Sequence, residues 1–329
     1  MKIIISQGDA NGIGIETGLK ALKRYFEKST SDDDTEFIFA VNPTVLASYI
    51  EKENIRFVEL DNGEMIIDGH RIEILALNSS HPVRFGKISP IAGKLAGEAI
   101  DTAIAKCLIS YADAMVTLPI NKEALNLGGY KFTGHTEFLA ARCEVKKPLM
   151  ILSDGKNLNV ALVTTHIPVC EIHNYITEEN IGNKISHFVR VLMRDMAIAE
   201  PKIAVLALNP HAGDDGLIGT EEDRVIIPAM RNSEYAKFLE GPFASDGFFA
   251  SGKYNSYNGV LAMYHDQGLI PLKMIAGGAG VNITGGLPII RTSPDHGTGF
   301  DIAGRNIADE SSVLSAILMA KKIYYNRKK

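Results

Sequence analysis

Three histidines stand where chemistry could be done. Each closes an apolar run that reads as a strand: NVALVTT ends at His166, KIAVLALNP at His211 and GVLAMY at His265. In parallel α/β sheets, ligands bind outside the carboxyl ends of the strands. Three imidazoles delivered to that edge suit one divalent ion, with water or substrate in the open position. The segments that follow them, IPV, AGDDG and DQG, read as loops that leave the rings free to project. The alternative is that each is an ordinary capped or core histidine. A second constellation is basic. Lys273 is followed by the Gly-rich stretch AGGAGVNITGGLP, which contains Asn282, and then by Arg291. Two cations, an amide and exposed backbone N–H groups suit a phosphate or carboxylate, which Arg can grip bidentately. The same residues could be surface cations flanking a flexible loop. His135 and Thr136, in FTGHTEF, precede a helical stretch whose first N–H groups could hold an anion. Thr136 could also simply cap that helix.

The N-terminal segment GDANGIG follows an apolar run and looks like a dinucleotide turn. Its glycines, Gly12, Gly14 and Gly18, are spaced GxGxxxG rather than GxGxxG, and the acidic run Asp32–Asp34 falls in a stretch that reads as a solvated loop. A Rossmann assignment is therefore rejected. The better cofactor candidate is HGTGFDIAGR, with His296, Gly297, Gly299 and Asp301 as contacts, where the two glycines allow close backbone approach. Its alternative is a loop that caps the following helix. There is no GxxxxGK[ST], HExxH or GxSxG motif.

The elements that must position these groups alternate between short apolar runs and helical patterns, the signature of βαβ units. Strands are expected at Lys2–Ser6, Glu36–Val41, Ala114–Thr117, Leu149–Leu152, Val160–Thr165, Ile203–Leu208 and Val260–Tyr264. Ile66–Leu77 reads as an antiparallel pair turning at Asp68–Gly69. Helices are expected over Ile91–Ile109, Ile181–Met196 and Ser311–Tyr325.

A chain of 329 residues is long enough for two domains. Its formal net charge of −5 argues against a dedicated nucleic-acid binder, and no apolar run reaches the length of a membrane helix. Three cysteines, Cys107, Cys143 and Cys170, lack CxxC spacing, and the first residues lack a signal-peptide core. A cytoplasmic location is the expectation.

The segments GDANGIGIE, TLPINKEAL, FTGHTEFLA, TTHIPV, NPHAGDDG, YHDQGLIPLK and GVNITGGLPIIRTSPDHGTGFDIAGR resemble the 4-hydroxythreonine-4-phosphate dehydrogenase family of pyridoxal-phosphate biosynthesis. The match runs in order from Gly8 to Arg305, and the closing segment also resembles the cofactor loop of isopropylmalate and isocitrate dehydrogenases. The resemblance implies a two-lobed α/β/α subunit with mostly parallel sheets and an active site in the interlobe cleft of a homodimer. The lobes would be residues 1–130 with 300–329, and residues 131–299. His166, His211 and His265 fall on the family's divalent-metal ligands, with His265 supplied by the partner subunit. His135, Thr136, Lys273, Asn282 and Arg291 fall on its substrate contacts, and Asp246, in FASDGFF, on an acidic residue near the reacting centre. The implied reaction is metal-dependent, NAD- or NADP-linked oxidation of 4-phosphooxy-L-threonine at C3, followed by decarboxylation. Zinc, cobalt or magnesium is the expected ion, and three imidazoles suit the first two better than the third. Related dehydrogenases acting on phosphorylated four-carbon sugar acids are an alternative. A metal-dependent phosphate-ester hydrolase and a non-catalytic binding protein are further alternatives.

Overall fold

The computed structural model describes residues 1–30, 32–78, 82–146 and 148–329, and the chain divides into two compact units. The first unit comprises Met1–Lys146 and Leu287–Tyr324, and the second Lys147–Gly286 and Tyr325–Lys329. The chain first traverses β1 (Lys2–Ser6), α1 (Gly14–Lys28), β2 (Glu36–Val41), α2 (Pro43–Lys52), β3 (Val58–Asp61), β4 (Glu64–Ile67) and β5 (His70–Ala76). It continues through α3 (Pro90–Leu108), β6 (Ala114–Thr117), α4 (Lys122–Leu127) and α5 (His135–Arg142). The second unit contains β7 (Leu149–Ser153), β8 (Asn159–Leu162), α6 (Ile172–Tyr175), α7 (Glu178–Arg194), β9 (Ile203–Leu206) and α8 (Ile227–Arg231). Then come β10 (Leu239–Phe243), α9 (Ser245–Ala250), β11 (Gly259–Ala262), α10 (His265–Ala276) and β12 (Val281–Gly285), before β13 (Ile290–Pro294) and α11 (Ser311–Arg327).

Both units are mixed α/β with mostly parallel strands. In the first, the order is β13-β6-β1-β2-β5-β4-β3, parallel from β13 to β5 and then antiparallel through β4 and β3. In the second, the order is β10-β9-β11-β8-β7-β12, parallel up to β8 and antiparallel across β7 and β12. Parallel strands buried on both faces are continuous apolar runs, which is why Ile3–Ile5, Val205–Leu206 and Val260–Ala262 are inaccessible to solvent.

Unit boundaries fall at 146 and 287 rather than at 130 and 300. Helix α5 buries Phe138 and Leu139 in the same apolar cluster as Ile4, Ile100 and Met115. Strand β13 pairs with β6, with Arg291 opposite Met115. His135, Thr136, Arg291 and His296 therefore belong to the first unit. The expected helices and most expected strands are present within a few residues. Missing from the sequence reading are helices α1, α2, α4, α6, α8, α9 and α10 and strands β3, β10, β12 and β13, most of them hidden by glycines, polar residues or shortness. On α3, Gly93 and Gly97 are indispensable. A side chain at either would strike the Ala124 carbonyl or the Tyr130 ring, so their absence lets α3 and α4 approach closely.

Asp32 and Asp34 are exposed, as expected of a solvated run, but Asp33 between them is not. Asp33 accepts hydrogen bonds from Lys321 Nζ (2.6 Å), Tyr25 Oη (2.5 Å) and Thr35 Oγ1 (2.6 Å). Burial raises its pKa, but the Lys321 ammonium and the two hydroxyls more than offset this and hold the carboxyl far below the usual range. No helix among the described residues is long and apolar enough to cross a membrane.

Two buried glutamates anchor the segment that follows the candidate cofactor loop. Glu16 Oε1 accepts from Lys20 Nζ (2.6 Å) and from the Ala308 N–H (2.7 Å), while Glu53 Oε1 accepts from the Gly304 N–H (3.1 Å). The second oxygen of each is buried and has no partner among the described residues. Burial, and next the Glu16 charge, push Glu53 up to about 7. A carboxyl with a raised folded-state pKa contributes stability below its unfolded value and loses it as pH rises through the folded value. Stability should therefore fall between about pH 4.5 and pH 7, by on the order of 3 kcal/mol from this group. Glu53→Gln keeps the acceptor for Gly304 and removes the titration. Urea unfolding at pH 5.5 and pH 8 should show the loss in the wild type and a smaller loss in the variant. Equal losses in both would refute this account.

Candidate active site

The three strands that lead to histidines are neighbours in the second unit, in the order β9-β11-β8. Register aligns Ala204, Val260 and Val160. His211, His265 and His166 lie seven, five and six residues beyond these aligned positions, so all three leave the sheet at one edge and at similar height. The His166 and His265 ring centroids are 6.0 Å apart. A pocket of about 240 Å³ opens beside them, lined by Thr164, Thr165, His166, Tyr264, His265 and Asp266 among others. Among the described residues, no group of three His, Cys, Asp or Glu side chains is close enough to hold a metal ion. Within one chain His166 and His265 are neighbours, whereas the resemblance supplies His265 from a partner.

The segments after the histidines are not plain loops. DQG is the first turn of α10, of which His265 is the first residue. His265 Nδ1 lies 2.7 Å from Asp266 Oδ1. A carboxylate can only accept, so Nδ1 carries a proton, the tautomer whose neutral ring would present its Nε2 lone pair. AGDDG continues a left-handed turn that starts at His211 itself, with φ of 53° there. Gln267 fastens these pieces together. Its Nε2 donates to the Ala207 carbonyl (2.6 Å) and to Ser245 Oγ (2.7 Å), and its Oε1 accepts from the Met263 N–H (2.7 Å). One side chain therefore ties the ends of β9 and β11 to the start of α9, where Asp246 is exposed on the first turn. Lys273 is exposed on α10. Asn282 sits on β12, not in a flexible loop, and its Oδ1 is buried without a partner among the described residues.

The first unit holds the other candidates. Arg291, expected beside a flexible loop, is on β13 and 2% exposed. Its Nε and Nη2 donate to Thr117 Oγ1 at 3.0 and 2.6 Å. Burial pushes its pKa down to about 9, which leaves it charged at neutral pH. His135 feels that charge. Burial first, and then Arg291, hold His135 well below the ordinary imidazole range, although a hydrogen bond to the Leu118 backbone works the other way. The ring is neutral, and its buried Nε2 has no partner among the described residues. Thr136 is the second residue of α5, whose cap position is Gly134, so it does not act as the N-cap.

Of the cofactor-loop candidates, His296 places Nδ1 3.0 Å from the Gly297 carbonyl, and its buried Nε2 has no partner among the described residues. A side chain at Gly297 would meet open space, while one at Gly299 (φ 53°) would meet Ile13 at 2.7 Å. Gly299 is thus required by the chain's own packing, and Gly297 leaves room for a ligand. Asp301 is exposed. The N-terminal strand–turn–helix does form, from β1 into α1. Its glycines face protein: a side chain at Gly12 would meet the Thr298 carbonyl at 2.7 Å, and one at Gly18 the Leu118 side chain at 2.9 Å. That turn has no space for a pyrophosphate.

The donor chemistry fits a borderline divalent ion: imidazoles from adjacent strand ends, with the outward lone pair of His265 set by Asp266. Thr117 and Gln267 lie within the quoted segments TLPINKEAL and YHDQGLIPLK, but their roles escaped sequence reasoning because nothing in those segments names the partners they hold.

Comparison with known proteins agrees with this architecture. The family model described as pyridoxal phosphate biosynthetic protein PdxA matches residues 32–320. A 4-hydroxythreonine-4-phosphate dehydrogenase of Bacteroides thetaiotaomicron is 42% identical, over 100% of this chain and 90% of its own length. One from Prosthecochloris aestuarii is 40% identical, over 97% of this chain and 96% of its own. The crystal structure of the enzyme of that name from Klebsiella pneumoniae superposes with a TM-score of 0.83 at 35% identity, covering 98% of this chain and 99% of that one. With a family match that spans most of its length and a fold shared with a solved member, the chain belongs to the PdxA family of pyridoxal phosphate biosynthetic proteins.

Proposed function

We propose that this protein oxidises 4-phosphooxy-L-threonine at C3, with NAD or NADP as hydride acceptor, to 2-amino-3-oxo-4-phosphooxybutanoate. That β-keto acid then loses its carboxylate as CO2 to give 3-amino-2-oxopropyl phosphate. The observation that carries the reading is the buried Arg291 guanidinium beside the uncharged His135, a fixed cation next to a hydrogen-bond acceptor. Such a pair suits a substrate that has both an anionic group and a hydroxyl or ammonium group. Membership of the PdxA family supports the same reading.

Arg291, pre-oriented by Thr117, binds a substrate anion. His135 Nε2 accepts from a substrate hydroxyl or ammonium, and Thr136 adds a hydroxyl at the same helix start. Lys273 and Asn282 contribute a cation and an amide. His166, His211 and His265 would hold a zinc, cobalt or magnesium ion, which would supply Lewis acidity toward oxygen, and a bound nicotinamide would supply the hydride acceptor. The C3 hydroxyl proton passes to the Asp246 carboxylate as the C3 hydride leaves. His296, Gly297, Gly299 and Asp301 form the cofactor-side loop. The working unit is a homodimer with the metal site shared between subunits. Val169, Leu217 and Met274 in the second unit are 80%, 82% and 79% exposed, a cost that a second copy of the chain would relieve.

NADH formation from NAD and 4-phosphooxy-L-threonine should disappear on chelation and return with Zn²⁺ or Co²⁺. Turnover unaffected by chelation would remove the metal from the reading, and turnover only with a phosphorylated four-carbon sugar acid would replace the substrate.

Arg291→Ala should raise the apparent KM about 10- to 100-fold, since the lost charge-assisted contact is made in both ground and transition states. Steady-state kinetics giving an unchanged KM in folded protein would make Arg291 purely structural.

His166→Ala and His265→Ala should each be inactive. If His265 is contributed across the dimer, mixing the two under subunit exchange should restore about a quarter of wild-type activity, because half the dimers carry one intact site of two. No recovery in proven heterodimers would place His166 and His265 of one chain in the same site.

A further inference from the structure

Six consecutive residues, His211 to Gly216, have positive φ: 53°, 57°, 82°, 48°, 53° and 88°. Four of them carry side chains, and L-residues visit the left-handed region as single residues rather than in runs. A run of this kind persists only where its surroundings over-determine it. Internal hydrogen bonds contribute, from Ala212 N–H to the Asn209 carbonyl (3.2 Å) and from Gly216 N–H to the Gly213 carbonyl (3.0 Å). They are local to the turn and its flanks, and they do not fix it to the sheet.

Glu222 makes that connection. It is 3% exposed and opens a single π-helical turn, Glu222–Ile226. Its Oε1 accepts from the backbone N–H groups of Leu208 and Asn209, both at 2.8 Å, where the chain has just left β9. Its Oε2 accepts from Asn209 Nδ2 at 2.9 Å, and Glu221 Oε2 accepts from the same amide at 2.7 Å. A side chain at Gly213 would come within 2.8 Å of Glu222 Oε2, so this carboxylate also abuts the middle of the left-handed turn. One buried group thus holds the residues before His211 by hydrogen bonds and abuts Gly213 after it, without a bond to His211 itself.

We propose that Glu222 is a positioning residue that clamps the left-handed turn 211–216 and so sets where the His211 imidazole stands toward the metal. The proposal rests on the reading above that His211 is a metal ligand. A carboxylate suits this task because every group facing it is a donor. An amide at the same place would turn one –NH2 against those donors.

Zn²⁺ affinity of the full-length protein, measured by competition with a chromophoric chelator, tests this without recourse to turnover. Circular dichroism and urea unfolding establish that each variant is folded. His211→Ala should weaken Zn²⁺ binding, and Glu222→Gln should weaken it roughly 10- to 100-fold, the usual effect of losing a group that orients a ligand. Ala212→Gly removes a Cβ from the left-handed run, so it should leave affinity equal or tighter, and it should recover part of the loss when combined with Glu222→Gln. If Glu222→Gln does not fold, Asn209→Ala opens the same clamp from the other side and should weaken binding similarly. Wild-type affinity in folded Glu222→Gln or Asn209→Ala, with weak binding by His211→Ala, would overturn the clamp and leave the ligand assignment standing. Wild-type affinity in His211→Ala would overturn the ligand assignment itself.

Discussion

Because β9, β11 and β8 run parallel and in register, the chain leaves all three at the same edge of the second unit's sheet, and the histidines that follow share one height. Parallel pairing imposes this wherever it occurs, since each strand must return to the opposite edge before the next one starts. The first unit obeys the same rule. Strands β1, β6 and β13 emerge together, which sets the Gly8–Gly12 turn, Thr117 and the HGTGF segment side by side. The antiparallel additions, β3 and β4 in one unit and β7 and β12 in the other, extend the sheets without altering these edges.

Placing polar groups at those edges costs stability, and the chain meets the cost in several ways. Arg291 is stripped of water and held by a hydroxyl, so its geometry is fixed before anything binds. His135 is kept neutral by burial and by that same arginine, which makes its free nitrogen an acceptor rather than a second cation. Glu16 and Glu53 each keep a buried oxygen with no partner among the described residues, and burial pushes Glu53 toward its protonated form. His211 sits in backbone that side-chain-bearing residues seldom occupy. Local discomfort of this kind is typical of functional sites, where surrounding structure maintains what propensity alone opposes.

The sequence reading found strands where continuous Ile, Val and Leu announce burial on both faces, as in β1, β2, β6 and β9. It failed where composition pointed elsewhere. AGGAGVNITGGLP looks flexible because of its glycines, yet β12 and β13 flank only a short turn, and Asn282 and Arg291 are strand residues. Asp33 looks solvated among its acidic neighbours, but Lys321, almost three hundred residues away in sequence, brings it inside. No periodicity can announce such a partner.

The amino-acid sequence by itself determined the α/β class, the three strand-end histidines, the basic and Gly-rich segments and the family, because burial patterns and motifs are local properties. It could not determine which side chains support those motifs. For Thr117 under Arg291, Gln267 bridging two strand ends and Glu222 beneath the left-handed turn, nothing in the local sequence names the partner each one holds. Their roles arise from contacts between segments remote in the chain, and contacts of that kind exist only once parallel strands have brought their ends together.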